Sequence, residues 1–255
     1  MDEIILARGT RAEAVVKHPL ALIAGYAFAE HSPEVDQMRR PLDIDAPPTA
    51  RARWGYRTYD CIPASSGFAL TGVDLTVAAG LNARMSVDRV GALQAVAELV
   101  GESIEHLEDA PPFWELDRDE LHAPTATETR EWWALRAWSL LMSQPDVGVA
   151  VTHKTLRHKR PKLFPLLDSV TKKHLPKGRA WATIHDDLTS QAEAWAQLEA
   201  DFTAATDPAR GDFELTRLRL HDILLWLTVT LVAHGHWTRG SRPPCRNRLD
   251  TRCTA

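Results

Sequence analysis

The chain has 255 residues, 44 % of them hydrophobic and 25 % charged, which excludes general disorder and a fibrous repeat and leaves room for a sizeable core. Its formal charge of -4 argues against a dedicated nucleic-acid binder, whose domain is normally basic. Three cysteines, Cys61, Cys245 and Cys253, give no disulfide framework and fit a reducing, cytoplasmic setting. The opening MDEIILARGT lacks the basic and apolar regions of a signal peptide, and the most apolar run, 223–233, is about half a membrane span, so no membrane role is expected.

Taken in chain order, residues 1–62 read as an N-terminal helix and an irregular arm. From Glu30 to Thr58 the sequence is rich in Pro, Arg and Asp and shows no period, with a short strand expected around Trp54 to Ile62. Trp54 and Tyr56, beside Arg51, Arg53 and Arg57, could stack on bases, but a surface loop is the preferred reading. Residues 63–238 form the helical domain. Asp74 precedes LTVAAGL, and Ser86 is an N-cap before a helix whose Val90, Leu93, Ala97 and Val100 share a face and which Gly101 should stop.

After a proline-containing linker, Thr125 and Glu128 read as a capping box for a helix carrying Trp133, Ala137, Leu140 and Leu141 that ends near Pro145. Leu188, Ala192, Trp195, Leu198 and Phe202 mark one further amphipathic helix, with His185-Asp186-Asp187 at its start. Asp207-Pro208 and Gly211 then break the chain before a last helix striped by Leu220, Ile223, Leu224, Leu227 and Leu231. Residues 239–255 read as a disordered basic tail. With no alternating strand series, the expected class is all-α.

Charge is concentrated. Between His153 and Arg179 stand nine Lys or Arg against the single acid Asp168, a local charge of +8 that leaves -12 for the rest. Such polarity marks either a surface for an anionic partner or a basic stretch docked on the chain's own acidic N-terminal half. Within it, a turn at Val147-Gly148 opens a helix over about Val149 to His158, an apolar connector follows, and Asp168 starts another helix. His234, His236, Cys245 and Cys253 have no compact ligand spacing, so no metal and no cofactor are expected.

Pro145-Asp146-Val147-Gly148 followed by Pro165-Leu166-Leu167-Asp168 resembles the hairpin and acid element of the helix-hairpin-helix DNA glycosylases. The earlier stretch from Leu75 to Val100 resembles the family's helix pair, whose intervening turn faces the flipped base. The resemblance implies a helix-hairpin-helix glycosylase-like fold, DNA as partner and Asp168 as the catalytic acid. It implies phosphate contacts along Val147, Gly148, Val149, Lys154, Arg157, Lys159, Arg160 and Lys162, and a base pocket at Asn82 and Arg84. Asp146 replaces a hairpin glycine, and Ala150 stands where lyase-competent members carry their lysine. The implied reaction is therefore monofunctional hydrolysis of a base N-glycosidic bond in base excision repair. No iron-sulfur cysteine set is present.

The motif Lys154-x-Leu-x-x-Lys159-Arg160-Pro161, Pro165 to Val170 and RLRLHDILLW over 217–226 more closely resembles a group of bacterial proteins of unknown function, which implies a shared fold and no activity. The bland readings stand beside these. Asp168 serves as an N-cap alone, the basic residues solvate a helix, and the chain is a non-catalytic DNA or protein interaction module. Lys154 is an alternative nucleophile, although nothing in the sequence shows it desolvated.

Overall fold

The computed structural model describes residues 3–6, 14–28, 55–121 and 130–233. The chain is mostly helical, as expected, but it opens with a two-stranded antiparallel hairpin that the sequence reading lacks: β1 (Glu3–Leu6) pairs with β2 (Ala14–Lys17), Glu3 opposite Lys17. Pro19 then begins α1 (Pro19–Phe28) at the position where its missing N–H costs nothing. Instead of the strand expected near Trp54 to Ile62, Tyr56–Asp60 form one wide π-turn. It buries Tyr56 and Tyr59, so Tyr56 is a core residue whose hydroxyl donates to the Phe213 carbonyl, not a surface stacking group.

Next comes α2 (Gly72–Thr76), closed by a capping box in which Asp74 accepts from the Thr71 amide, and it runs into a 3₁₀ turn over Val77–Leu81. Asn82 reverses the chain in the left-handed region at φ 61°. The Ser86 hydroxyl accepts from the Arg89 amide and opens α3 (Val87–Ala95), and Val96 breaks the axis before α4 (Ala97–Glu105). Gly101 does not stop this helix. It lies inside α4 because a Cβ there would sit 2.6 Å from the Ala69 Cα.

Short 3₁₀ turns over Phe113–Glu115 and Arg118–Leu121 cross the linker; the Thr125 and Glu128 capping box lies outside the described residues. α5 (Arg130–Met142) ends where Pro145 requires, and α6 (Val149–Lys159) follows. The helix expected around Trp195 is two helices, α7 (Ala180–Ser190) and α8 (Ala192–Ala205), broken at Gln191. His185, Asp186 and Asp187 therefore lie in the second half of α7 and start nothing. The last helix, α9 (Arg217–Ala233), buries Leu220, Ile223, Leu224 and Leu227.

Two large apolar clusters result. One joins β1, β2 and α1 to α7, α8 and α9 through Ile4, Ile23, Trp195, Phe202 and Leu224, so the hairpin and α1 share a core with the C-terminal helix. The other joins α2 to α6 through Leu75, Leu93, Ile104, Ala137, Leu156 and Phe164. α6 passes between α5, α2 and the 77–81 turn, buried on every side from Val151 to Lys159. No helix of the described residues is long and apolar enough to cross a membrane.

Candidate functional site

The placement of α6 corrects the expectation that its cations face outward. Lys154, Arg157 and Lys159 are each only 5 % exposed. Arg157 Nη1 meets Asp60 Oδ1 at 2.9 Å, and Arg219 of α9 grips both oxygens of the same carboxylate. Tyr59 lies under both guanidinium groups, 5.4 and 5.5 Å from its ring centre. Lys159 Nζ reaches Asp74 Oδ2 at 3.3 Å and the Ser65 hydroxyl at 2.7 Å. His158 faces Asp74 with one ring nitrogen, at 3.2 Å, and the Ile62 carbonyl with the other.

The physical reason is charge compensation. Ions leave water only when paired and hydrogen-bonded, and the carboxylates of the N-terminal half supply the pairs. Asp74 shows the result. Burial alone would raise its carboxyl, but the His158, Ser65 and Thr71 hydrogen bonds and the Lys159 charge hold it well below the usual carboxylate range. His153, on the same helix, is neutral. Its Nδ1 donates to the Pro165 carbonyl at 2.8 Å, its Nε2 accepts from the Trp138 indole at 3.1 Å, and burial pushes it down to about 4.

The remaining expected contacts are mixed. Val147 is buried, Val149 and Arg160 are half-buried, and Gly148 and Lys162 are exposed. Arg160 donates to the Leu107 and Glu108 carbonyls. Gly148 caps α6 with no side chain, while Asp146 takes the left-handed conformation at φ 59° on the surface. Asn82 and Arg84 are exposed in the turn, and the Leu81 carbonyl just before it accepts from Lys154 Nζ at 2.7 Å.

Asp168 is half-buried and stands three residues before the 3₁₀ turn Thr171–His174, from whose first amide its side chain accepts a hydrogen bond. Its Oδ1 accepts from the Val170 amide at 2.7 Å, the Thr171 amide at 2.8 Å and the Thr171 hydroxyl at 3.2 Å. Its Oδ2 takes no hydrogen bond among the described residues. The cations that follow it, Lys172, Lys173, Lys177 and Arg179, are all exposed. The site that emerges is a carboxylate with one oxygen held by three hydrogen bonds and the other free of them among the described residues, followed in the chain by an exposed basic loop.

Asp222 completes the surroundings and was not legible as a site residue. It lies on α9 against the 171–174 turn, its Oδ2 accepts from Arg219 Nη1, and burial pushes it up to about 6, against the pull of Arg219 and helped by the Asp168 charge. Among the described residues no group of three His, Cys, Asp or Glu could hold a metal ion. His234, His236, Cys245 and Cys253 lie outside them, as do Arg51, Arg53 and Trp54.

Comparison with curated proteins and with solved structures returns no match. Residues 38–229, which include Asp60, Asp74, Lys154, Asp168 and Asp222, match DUF6308, a family of unknown function, and the chain belongs to that family.

Proposed function

We propose that the protein holds a nucleic-acid backbone against the exposed loop 172–179 and hydrolyses a base N-glycosidic bond at Asp168. The observation that carries this reading is the Asp168 carboxylate itself: three hydrogen bonds fix one oxygen, the other is open, and four exposed cations follow within eleven residues. A carboxylate so fixed stabilises the positive charge that develops on a sugar carbon as the bond to the base breaks, and it orients the attacking water. The loop cations neutralise phosphates, and the base leaves the stack because its glycosidic bond is out of reach within it. The exposed turn at Asn82 and Arg84, tied to Lys154 through Leu81, supplies the neighbouring wall for the base.

The second reading is a non-catalytic module in which the loop binds and Asp168 only caps. The hydrogen bonds from Val170 and Thr171, which a purely structural N-cap would make in the same way, favour it. Incubation of wild type and Asp168→Asn with duplexes carrying damaged or mismatched bases, followed by alkaline cleavage of abasic sites, separates the two. The hydrolytic reading expects strand breaks with wild type that fall at least ~100-fold in the variant. Equal background from both proteins on every duplex sinks it.

A further inference from the structure

Lys154 is the exception among the buried basic side chains of α6 and α9. Arg157, Lys159 and Arg219 each meet a carboxylate within 3.3 Å, whereas Lys154, 5 % exposed, has no ion pair among the described residues and one hydrogen-bond acceptor, the Leu81 carbonyl at 2.7 Å. As an ammonium it holds three N–H donors against that one acceptor, which strands two in the interior. As a neutral amine it strands one and gains a lone pair. Removal from water without a counter-ion therefore favours the amine. Burial holds the group below the usual lysine range, Asp168 and Asp222 pull it up, and Arg219 pushes it further down.

The frame around Lys154 is fixed at both ends of the residue. The Tyr59 hydroxyl donates to its main-chain carbonyl at 2.6 Å, and the side-chain nitrogen donates to Leu81. Both partners belong to a small third apolar cluster, in which Tyr59, Val77 and Leu166 are buried and Ile62 and Leu81 pack on them. Thr58 pins the 77–81 turn by donating to the Gly80 carbonyl at 2.8 Å. A Cβ at residue 80 would collide with the Thr58 carbonyl, so only glycine lets the two segments come this close. The turn ends at Asn82, which is exposed in the left-handed region, so the amine is bonded to the residue that borders a surface bend.

We propose that Lys154 is a nucleophilic amine that captures a small aldehyde or ketone with an apolar body as an imine. A lysine in water is neutral in only about one molecule in 2,500 at pH 7, and desolvation without a counter-ion supplies the lone pair that such a capture needs. That lone pair bonds to the carbonyl carbon. The carbonyl oxygen takes up the two amine hydrogens and leaves as water, and the carbon–nitrogen double bond remains; water reverses the step. The apolar body follows from the cluster that holds the residue, whose members Val77, Leu166, Ile62 and Leu81 offer aliphatic carbon. The capture needs neither Asp168 nor a nucleic acid, so it stands apart from the glycosidic reading above.

The test is to incubate the full chain with hexanal and sodium cyanoborohydride at neutral pH and to locate the adducts by peptide mass spectrometry. The hydride turns each imine into a stable hexyl amine, so the label records where capture occurred. Lys154 should be labelled at least ~10-fold faster than the exposed Lys162, Lys172, Lys173 and Lys177, and that preference should vanish when the chain is unfolded in urea. Lys154 labelled no faster than these four overturns the proposal. So does a Lys154 left unmodified while they react, which is the result expected of an ammonium that only holds the Leu81 carbonyl. A wild type that releases no base from any duplex removes the glycosidic reading alone, and the capture is decided by the labelling.

Discussion

Two basic segments lie within thirty residues of each other, and their charges have opposite fates. In α6, Arg157 and Lys159 are sealed among Asp60, Asp74, Tyr59 and Ser65, and they hold the two halves of the chain together across separations of 97 and 85 residues. In the loop over 172–179 the cations stand in solvent beside Asp168. The contrast teaches that a run of Lys and Arg reports charge, not exposure. Whether it meets a ligand depends on whether distant carboxylates have already claimed it.

The largest expected effect breaks the buried side of this comparison. Asp60→Ala strands Arg157 without its carboxylate and leaves Arg219 with Asp222 alone, and unfolding in urea should show a loss of about 3–5 kcal/mol. Asp60→Asn, which keeps the shape, should still fall well below wild type. A loss under about 1 kcal/mol would mean that the two guanidinium groups are not truly sequestered.

A second test uses acidity. His153 is held down to about 4 by burial, while an unfolded histidine titrates near 6.5, so the unfolded chain binds the extra proton between these values. The stability it contributes is complete above about pH 6.5 and is lost as the pH falls toward 4, by about 3 kcal/mol. Asp222 has the opposite sign. Its raised carboxyl favours the folded state below its unfolded value near 3.8, and that gain is lost as pH rises through about 6. Denaturation of Asp222→Asn at a series of pH values should therefore show a steeper acid loss than wild type, and a parallel curve would remove one of the two groups from the account.

Packing offers a smaller effect. Gly101→Ala forces a methyl group against the Ala69 backbone, and the expected cost is about 1–3 kcal/mol with no change in ligand binding. The smallest effect on stability belongs to the exposed loop, where Lys172→Ala, Lys173→Ala and Lys177→Ala should each stay within about 0.5 kcal/mol of wild type in the same unfolding experiment.

Local structure was well written in the sequence because its causes are local. Ser86 capped α3, Pro145 closed the helix before it, and Leu220, Ile223, Leu224 and Leu227 of the α9 stripe are buried where periodicity placed them. The interior position of α6 was legible only as one of two readings of its charge, a basic stretch docked on the acidic N-terminal half, because the segment VAVTHKTLRHK is polar and also reads as a solvated helix; which carboxylates pair with it, Asp60 and Asp74, no periodicity shows. Gly101 misled for the same reason: it answers to a close approach of Ala69, not to a helix end. Asp168 was legible through its motif and its capping position, but Asp222 was hidden inside an apolar stripe. Its one signal was a charged pair, Arg219 and Asp222, three residues apart in a helix meant for the core.

The measurement that bears most directly on the division between the two segments is the dependence of DNA affinity on salt. Plotted as log Kd against log salt, wild type should show a clear slope, and the triple variant Lys172→Ala, Lys173→Ala, Lys177→Ala should lower its magnitude by about 2–3, roughly one unit per lost phosphate contact. Lys159→Met, a change in α6, should leave the slope intact in whatever fraction remains folded. A flat line for wild type, or a slope that survives the triple variant, would contradict the account.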